Sequence, residues 1–288
     1  MTVAARWPLT DSWVHEAADV HGVCASLHEL GYAAVRGLWS EPELDALDAE
    51  CARLQQHLVA GDLDERHGTV RLVDDPDGTR TALHANYVTH VTELSPALRA
   101  AVTRTEVQAI VQAWLGPCWL LEGDPFGVVY QDARPGRESS YTRIGWHSDW
   151  QGSPHLDRWP AVAFTLHLDA TSPANGFLRV VPGSHRWATP APHENANGVS
   201  VPDGSASSGG YTDEPPPVAM PLRFEKVPGE QPAYCERGDL LFHDAYLWHS
   251  AARATDDDGI RRHVRGSWYS GAVDQNATED DFVKNAAR

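Results

Sequence analysis

From about Trp119 the chain changes to short runs of β-forming residues held apart by turn chemistry, and this constrains the fold more than any other feature. The runs are Trp119 to Glu122, Gly127 to Gln131, Arg143 to Trp150, Val162 to Asp169, Phe177 to Val181, Asp239 to Phe242, Leu247 to Ala251 and Arg262 to Ser270. Arg134-Pro-Gly136, Ser172-Pro-Ala-Asn-Gly176, Pro182-Gly183, Arg237-Gly-Asp239 and Asp256-Asp-Asp-Gly259 supply breaks between them. About eight such strands imply a jelly roll, the double-stranded β-helix of cupin-like proteins.

The N-terminal part reads as helical. Asp11 or Ser12 can cap a segment carrying Trp13, Ala17, Val20, Leu27 and Leu30, which Gly31 ends. Tyr32 to Trp39 reads as a strand. Ser40 and Glu43 form a capping-box pattern ahead of Leu44, Leu47, Leu54 and Leu58. Ser95-Pro96 opens a third segment reaching Leu115, with a break near Thr103-Arg-Thr105. The chain is therefore expected to be mainly β with N-terminal helices. It forms one domain: 1–117 packs on a barrel of 118–270, and 271–288 is a tail. Residues 188–232, rich in Pro, Gly and Ser, interrupt the barrel as a lid-like insertion.

Composition removes several classes of function. The net charge of -17 argues against nucleic acid, which requires a surplus of Lys and Arg. No apolar run approaches the ~18 residues of a membrane span, and the N-terminus lacks the apolar core of a signal peptide. The four cysteines (Cys24, Cys51, Cys118, Cys235) lack zinc-ribbon spacing and do not form a disulfide framework. A cytoplasmic location is expected.

The chemistry gathers at His147-Ser-Asp149, with His249 about a hundred residues on and Arg262 shortly after. Two histidines and one carboxylate are the donor set of a mononuclear non-haem iron(II) site, which keeps positions open for a co-substrate and dioxygen. On a strand, residues i and i+2 share a side, so His147 and Asp149 can share one metal. His249 must then return on a neighbouring strand. His243 is a rival for that place. Arg262, returning on a further strand, can grip a carboxylate through two parallel hydrogen bonds. Arg261 and Arg265 compete with it, and alternation allows only one of Arg261 and Arg262 to face inward.

The segments Ile144-Gly-Trp-His-Ser-Asp-Trp150, Asn175-Gly-Phe-Leu-Arg-Val-Val-Pro-Gly-Ser-His185, Gly238-Asp-Leu-Leu-Phe-His243, Leu247-Trp-His-Ser250 and Arg261-Arg-His263 together resemble the phytanoyl-CoA dioxygenase family of iron(II)/2-oxoglutarate oxygenases. The resemblance covers about 118 to 270, with a weaker echo in Gly31 to Leu38. It implies the same jelly roll, with His147, Asp149 and His249 as metal ligands, and it favours His249 over His243. It implies 2-oxoglutarate as co-substrate, anchored by an arginine that the family usually places a residue or two nearer the distal His than Arg262, the residue chosen here; Gln131 and Thr165, on strands expected to line the barrel, are candidates for further contacts. Two departures from the family pattern stand out: the Asp256 to Gly259 turn is slightly enlarged, and Ala251 stands where the family commonly has a serine. Related halogenases have Ala or Gly at the carboxylate position, which is Asp149 here. The glutamine-arginine signature of the ectoine hydroxylase branch is not clearly matched by Gln131-Asp-Ala-Arg134. Arg143, Trp146 and Trp150 flank the metal in sequence and are candidates for substrate contact.

The reading is an iron(II)- and 2-oxoglutarate-dependent dioxygenase that uses dioxygen to hydroxylate a small molecule, in specialised metabolism by family habit. Its rivals are a non-catalytic jelly-roll binding protein and a cupin-type isomerase or hydrolase that uses another metal.

Overall fold

The computed structural model describes residues 13–74, 80–123, 126–132, 144–152, 154, 158–191, 208–221, 224–252, 254–256 and 259–272. Its strands are β1 (Val14–Glu16), β2 (Tyr32–Arg36), β3 (Gly68–Asp74), β4 (Arg80–Thr89), β5 (Cys118–Leu121), β6 (Gly127–Asp132), β7 (Ile144–His147) and β8 (Ala161–His167). There follow β9 (Phe177–Val180), β10 (Thr189–Pro190), β11 (Ser208–Gly209), β12 (Gln231–Ala233), β13 (Leu240–Asp244), β14 (His249–Ala252) and β15 (Ile260–Ser270). The helices are α1 (Val20–Leu30), α2 (Glu41–Ala60), α3 (Val91–Leu94), α4 (Pro96–Val102) and α5 (Thr105–Leu115).

The strands form a large sheet ordered β1-β2-β13-β8-β15-β6-β4-β3, with β5 also on β15, and a smaller sheet ordered β12-β9-β14-β7. The short β10-β11 ribbon stands apart from both sheets. All eight strand segments expected from Trp119 onward are present, with most ends shifted by a residue or more and those at Gly127, Phe177 and Ser270 unchanged. The largest shift is in the run expected to reach Trp150, where the strand stops at His147 and a 3-10 turn takes over.

The N-terminal part differs from its helical reading. β1 to β4 all join the large sheet, and no element was expected for the segment that forms β3 and β4. The first helix starts only at Val20, where the Asp19 side chain accepts from the Gly22 backbone N–H. Val14–Glu16 pairs in parallel with β2 instead. The later helix signals match the structure. The capping box of Ser40 and Glu43 opens α2, and the third segment breaks between Val102 and Thr105 into α4 and α5.

The main core lies between the helices and one face of the large sheet. Leu44, Cys51 and Leu54 of α2 pack in one cluster with Val162, Phe164 and Leu166 of β8, Phe242 of β13 and Val264 of β15. Period-two alternation turns the other face of those strands toward a cavity inside the barrel. Ala163, Thr165 and His167 of β8 line it, as do Arg261, His263 and Arg265 of β15. Gly266 marks the tight side of this arrangement, because a Cβ there would stand 2.6 Å from the Phe164 ring and 2.7 Å from Phe126.

Phe242 is fully buried on a central strand of the large sheet. Phe242→Ala is expected to cost about 3–5 kcal/mol, part transfer and part cavity. Urea unfolding of parent and variant measures it, and a loss below about 1 kcal/mol would show that this face is not the main core.

Candidate metal centre

β14 pairs antiparallel with β7, and in that pairing His249, the first residue of β14, stands directly opposite His147, the last residue of β7. Their rings are 4.2 Å apart. Asp149 opens the 3-10 turn that follows β7, so it reaches the same point through the turn and not through strand pleating. One donor atom from each of His147, Asp149 and His249 lies within 4.8 Å of the others. The Asp149 Oδ1 atom is 3.5 Å from His249 Nε2 and 3.9 Å from His147 Nε2. Metal–ligand bonds of about 2.0–2.2 Å put neighbouring donors about 3.0–3.5 Å apart, so both Asp149–histidine separations lie within about half an ångström of what one metal needs.

Hydrogen bonds set the tautomer of both histidines. His147 Nδ1 lies 2.8 Å from the Gly145 carbonyl, and His249 Nδ1 lies 2.9 Å from the Leu247 carbonyl. A carbonyl only accepts, so each Nδ1 carries the proton and each Nε2 lone pair is left for a metal. Burial keeps both imidazoles below their ordinary range and hence neutral near pH 7. Burial alone would raise Asp149, but His249, His243 and His147 outweigh it and hold the carboxyl well below the usual carboxylate range. His243 Nε2 sits 3.2 Å from Asp149 Oδ2 and steadies the oxygen facing away from the other two donors. It lies outside the donor set itself. Two neutral imidazoles and one ionised carboxylate converging on one point fit a divalent transition metal.

Register along the strands gives the cavity a near and a far end. His243 lies at the metal end and pairs with Ala163, which also pairs with Ser267 of β15. Passing back along β15 from Ser267, the inward residues are Arg265 beside Thr165, His263 beside His167, and then Arg261. Arg261 is buried and donates through Nη1 to the Gly176 carbonyl at 2.7 Å. Burial lowers its guanidinium to about 10, which leaves it protonated at neutral pH.

Arg262, expected to face the site, does not. It points at α2, where its guanidinium pairs with Asp48 Oδ1 at 2.6 Å and donates to Gln55 Oε1 at 3.0 Å. The reason is the alternation of β15, which gives the inward place to Arg261. Thr165 does line the cavity. Gln131 is paired with Arg261 across β6 and β15, but its side chain lies outside the described residues, as does all of Arg143. Trp146 and Trp150 are packing residues. Trp146 is buried under the Arg179 guanidinium, 4.7 Å from the ring centroid, and its indole N–H donates to the Glu225 carbonyl at 2.8 Å. Trp150 is buried against β11 so closely that a Cβ on Gly209 would stand 2.3 Å from its ring.

The sequence reading missed His167 and His263 as cavity residues. Their signal was the same alternation that separates Arg261 from Arg262. It also missed Asp244, at the end of β13. Fully buried, Asp244 accepts from the Tyr211 hydroxyl at 2.7 Å and the Tyr246 backbone N–H at 2.8 Å. Tyr211 belongs to the 188–232 insertion, so this bond ties the insertion to the barrel. Residues 192–207 and 222–223 of the insertion lie outside the described residues.

With the geometry in place, comparison with known proteins defines the class. A model of the phytanoyl-CoA dioxygenase (PhyH) family matches residues 27–263, and the chain belongs to that family of iron- and 2-oxoglutarate-dependent oxygenases. The ectoine dioxygenase of Nocardia farcinica (strain IFM 10152) is 29% identical over 172 residues, which are 57% of this chain and 52% of that protein. The chain thus matches about half the length of that curated relative. Among solved structures, EctD from S. alaskensis with bound Fe superposes with a TM-score of 0.62 at 16% identity, covering 86% of this chain and 75% of that one. The epimerase SnoN in complex with Fe3+, alpha ketoglutarate and nogalamycin RO gives 0.61 at 19% identity, covering 91% and 93%. AviO1 from Streptomyces viridochromogenes Tue57 gives 0.59 at 17% identity, covering 88% and 96%. These likenesses establish the jelly-roll fold.

Two outcomes test the environment of the site. Arg262→Leu removes a part-exposed ion pair with α2 and is expected to cost about 1 kcal/mol in urea unfolding. Burial pushes the Asp244 carboxyl up to about 7, so the folded state holds that proton more tightly than the unfolded chain. The stability it contributes is complete below the ordinary carboxylate range near pH 4 and is lost as pH rises to about 7. Asp244→Asn is therefore expected to become steadily more stable relative to the parent between those pH values. A constant difference in melting temperature across that window would contradict the assignment.

Proposed function

We propose that this chain is an iron(II)- and 2-oxoglutarate-dependent dioxygenase that hydroxylates an unactivated C–H bond of a small organic molecule. The observation that carries this reading is the convergence of His147, Asp149 and His249 at one end of a cavity whose far end holds a buried cationic Arg261. A purely structural metal site or a cupin-type isomerase needs no such guanidinium. A 2-oxo dicarboxylate needs a cation in the cavity that holds its 2-oxo acid head, because its second carboxylate must be neutralised when it leaves water.

His147, Asp149 and His249 would hold the iron. When bound, the metal supplies the activation of dioxygen that is coupled to conversion of 2-oxoglutarate to succinate and carbon dioxide. The protein's own part is geometry and charge. The backbone carbonyls of Gly145 and Leu247 fix the histidine rings, and His243 fixes the carboxylate. Arg261 would take the distal carboxylate, in place of Arg262, with Thr165 on the cavity wall between the two ends. The neutral imidazoles and ionised Asp149 would leave iron(II) with a net single positive charge, which suits a dianionic co-substrate.

Hydroxylation is the simplest outcome of hydrogen abstraction. Solved neighbours of this fold include an epimerase and a carbocyclase, so the same machinery supports other fates of a substrate radical. We assign the substrate to the small organic molecules of specialised metabolism, a reading supported by the solved neighbour SnoN in complex with nogalamycin RO.

Anaerobic addition of iron(II) and then 2-oxoglutarate to metal-free protein tests this reading. A weak visible charge-transfer band is expected from the parent and not from His249→Ala. Arg261→Leu is expected to need ~10-fold or more 2-oxoglutarate for the same band, and Arg262→Leu the parent's concentration. Iron bound normally with no band would contradict the proposal.

A further inference from the structure

The far end of the cavity holds more polar groups than one arginine. His167 of β8 and His263 of β15 face each other across the sheet, with ring centroids 5.9 Å apart. Both line the cavity beside Arg261, and both are more than nine-tenths buried. Neither ring nitrogen of His167 has a hydrogen-bond partner among the described residues, and neither does Nδ1 of His263. Burial and the charge of Arg261 push His167 down to about 3 and hold His263 well below its ordinary range, so both rings are neutral. A buried polar group left unpaired costs about 1–3 kcal/mol. Two such rings aimed into one cavity are explained by a ligand that pairs them.

Resting on the reading in the preceding subsection, we propose that His167 and His263 are co-substrate-binding residues that seat the distal carboxylate of 2-oxoglutarate together with Arg261. Each neutral imidazole offers one N–H donor, and a carboxylate has about four acceptor sites, so one guanidinium does not saturate it. Ala251, which also lines the cavity, has no hydroxyl to offer, whereas each imidazole supplies an N–H donor. The seat thus comprises one guanidinium and two imidazoles, all rooted on two adjacent strands of the large sheet.

Pyruvate, which shares the 2-oxo acid head but lacks the second carboxylate, separates binding at the seat from general damage. The charge-transfer band of the iron(II) protein is titrated anaerobically with 2-oxoglutarate and with pyruvate, in the parent, His167→Leu and His263→Leu. Each variant is expected to lose ~10-fold or more in 2-oxoglutarate affinity and less than ~2-fold in pyruvate affinity. The ligand-free variants are expected to melt no lower than the parent, because an unpaired buried imidazole has been replaced by an apolar side chain. Unchanged 2-oxoglutarate affinity, or equal losses for both acids, would overturn the proposal. A second measurement needs no variant. In zinc-loaded wild-type protein with nitrogen-15 histidine rings, 2-oxoglutarate but not pyruvate is expected to shift two imidazole signals beyond those of the metal ligands. If only ligand signals move, the imidazole seat is wrong while the oxygenase reading stands. If the parent forms a band with neither acid, that reading itself fails.

Discussion

The backbone pairing of β14 with β7 is the contact on which the site depends. It sets His249 opposite His147 although a hundred residues separate them in sequence, and it does so at the strand ends, where the following turn can bring in Asp149. A one-residue slip in this register would turn one imidazole to the other side of the sheet and destroy the donor set. The smaller sheet is short, but the carbonyls of Gly145 and Leu247 lock the two rings from behind. The two neutral imidazoles and the ionised carboxylate are in the charge states that a divalent metal requires of its donors.

A second constraint is the alternation of β15. That strand pairs with β5, β6 and β8, and is buried between the helical layer on one side and the cavity on the other. Its even residues serve the core and α2, through Arg262, Val264, Gly266 and Trp268. Its odd residues serve the cavity, through Arg261, His263 and Arg265. The same strand thus carries a structural arginine and a cavity arginine side by side. Exchanging their roles would leave the guanidinium of Arg261 without Gly176 and that of Arg262 without Asp48.

Most of the fold was legible because turn residues mark strand ends and β-formers fill the runs between them. The capping box at Ser40 and the break at Thr103 to Thr105 were legible for the same local reason. β3 and β4 were not assigned, since their pairing with each other and with β6 is settled by the sheet as a whole. The donors His147, Asp149 and His249 were named from motif and order, although the i, i+2 argument for Asp149 assumed a strand where a turn stands. Arg262 was chosen over Arg261 because the enlarged Asp256 to Gly259 turn obscures the count, and sequence carries no absolute phase for an alternating strand. Trp146 and Trp150 show the opposite limit. Proximity to a site in sequence says nothing about whether a large aromatic faces it or packs behind it.

The most direct test of oxygenase function is release of carbon dioxide from 2-oxoglutarate labelled in its 1-carboxylate, in air, with iron(II) and without added substrate. The wild-type protein should release label slowly and only with iron, and Asp149→Ala should release none above background while remaining folded. Iron-loaded, folded wild-type protein that neither binds nor decarboxylates 2-oxoglutarate would show that the donor set and the cationic far end serve some other chemistry.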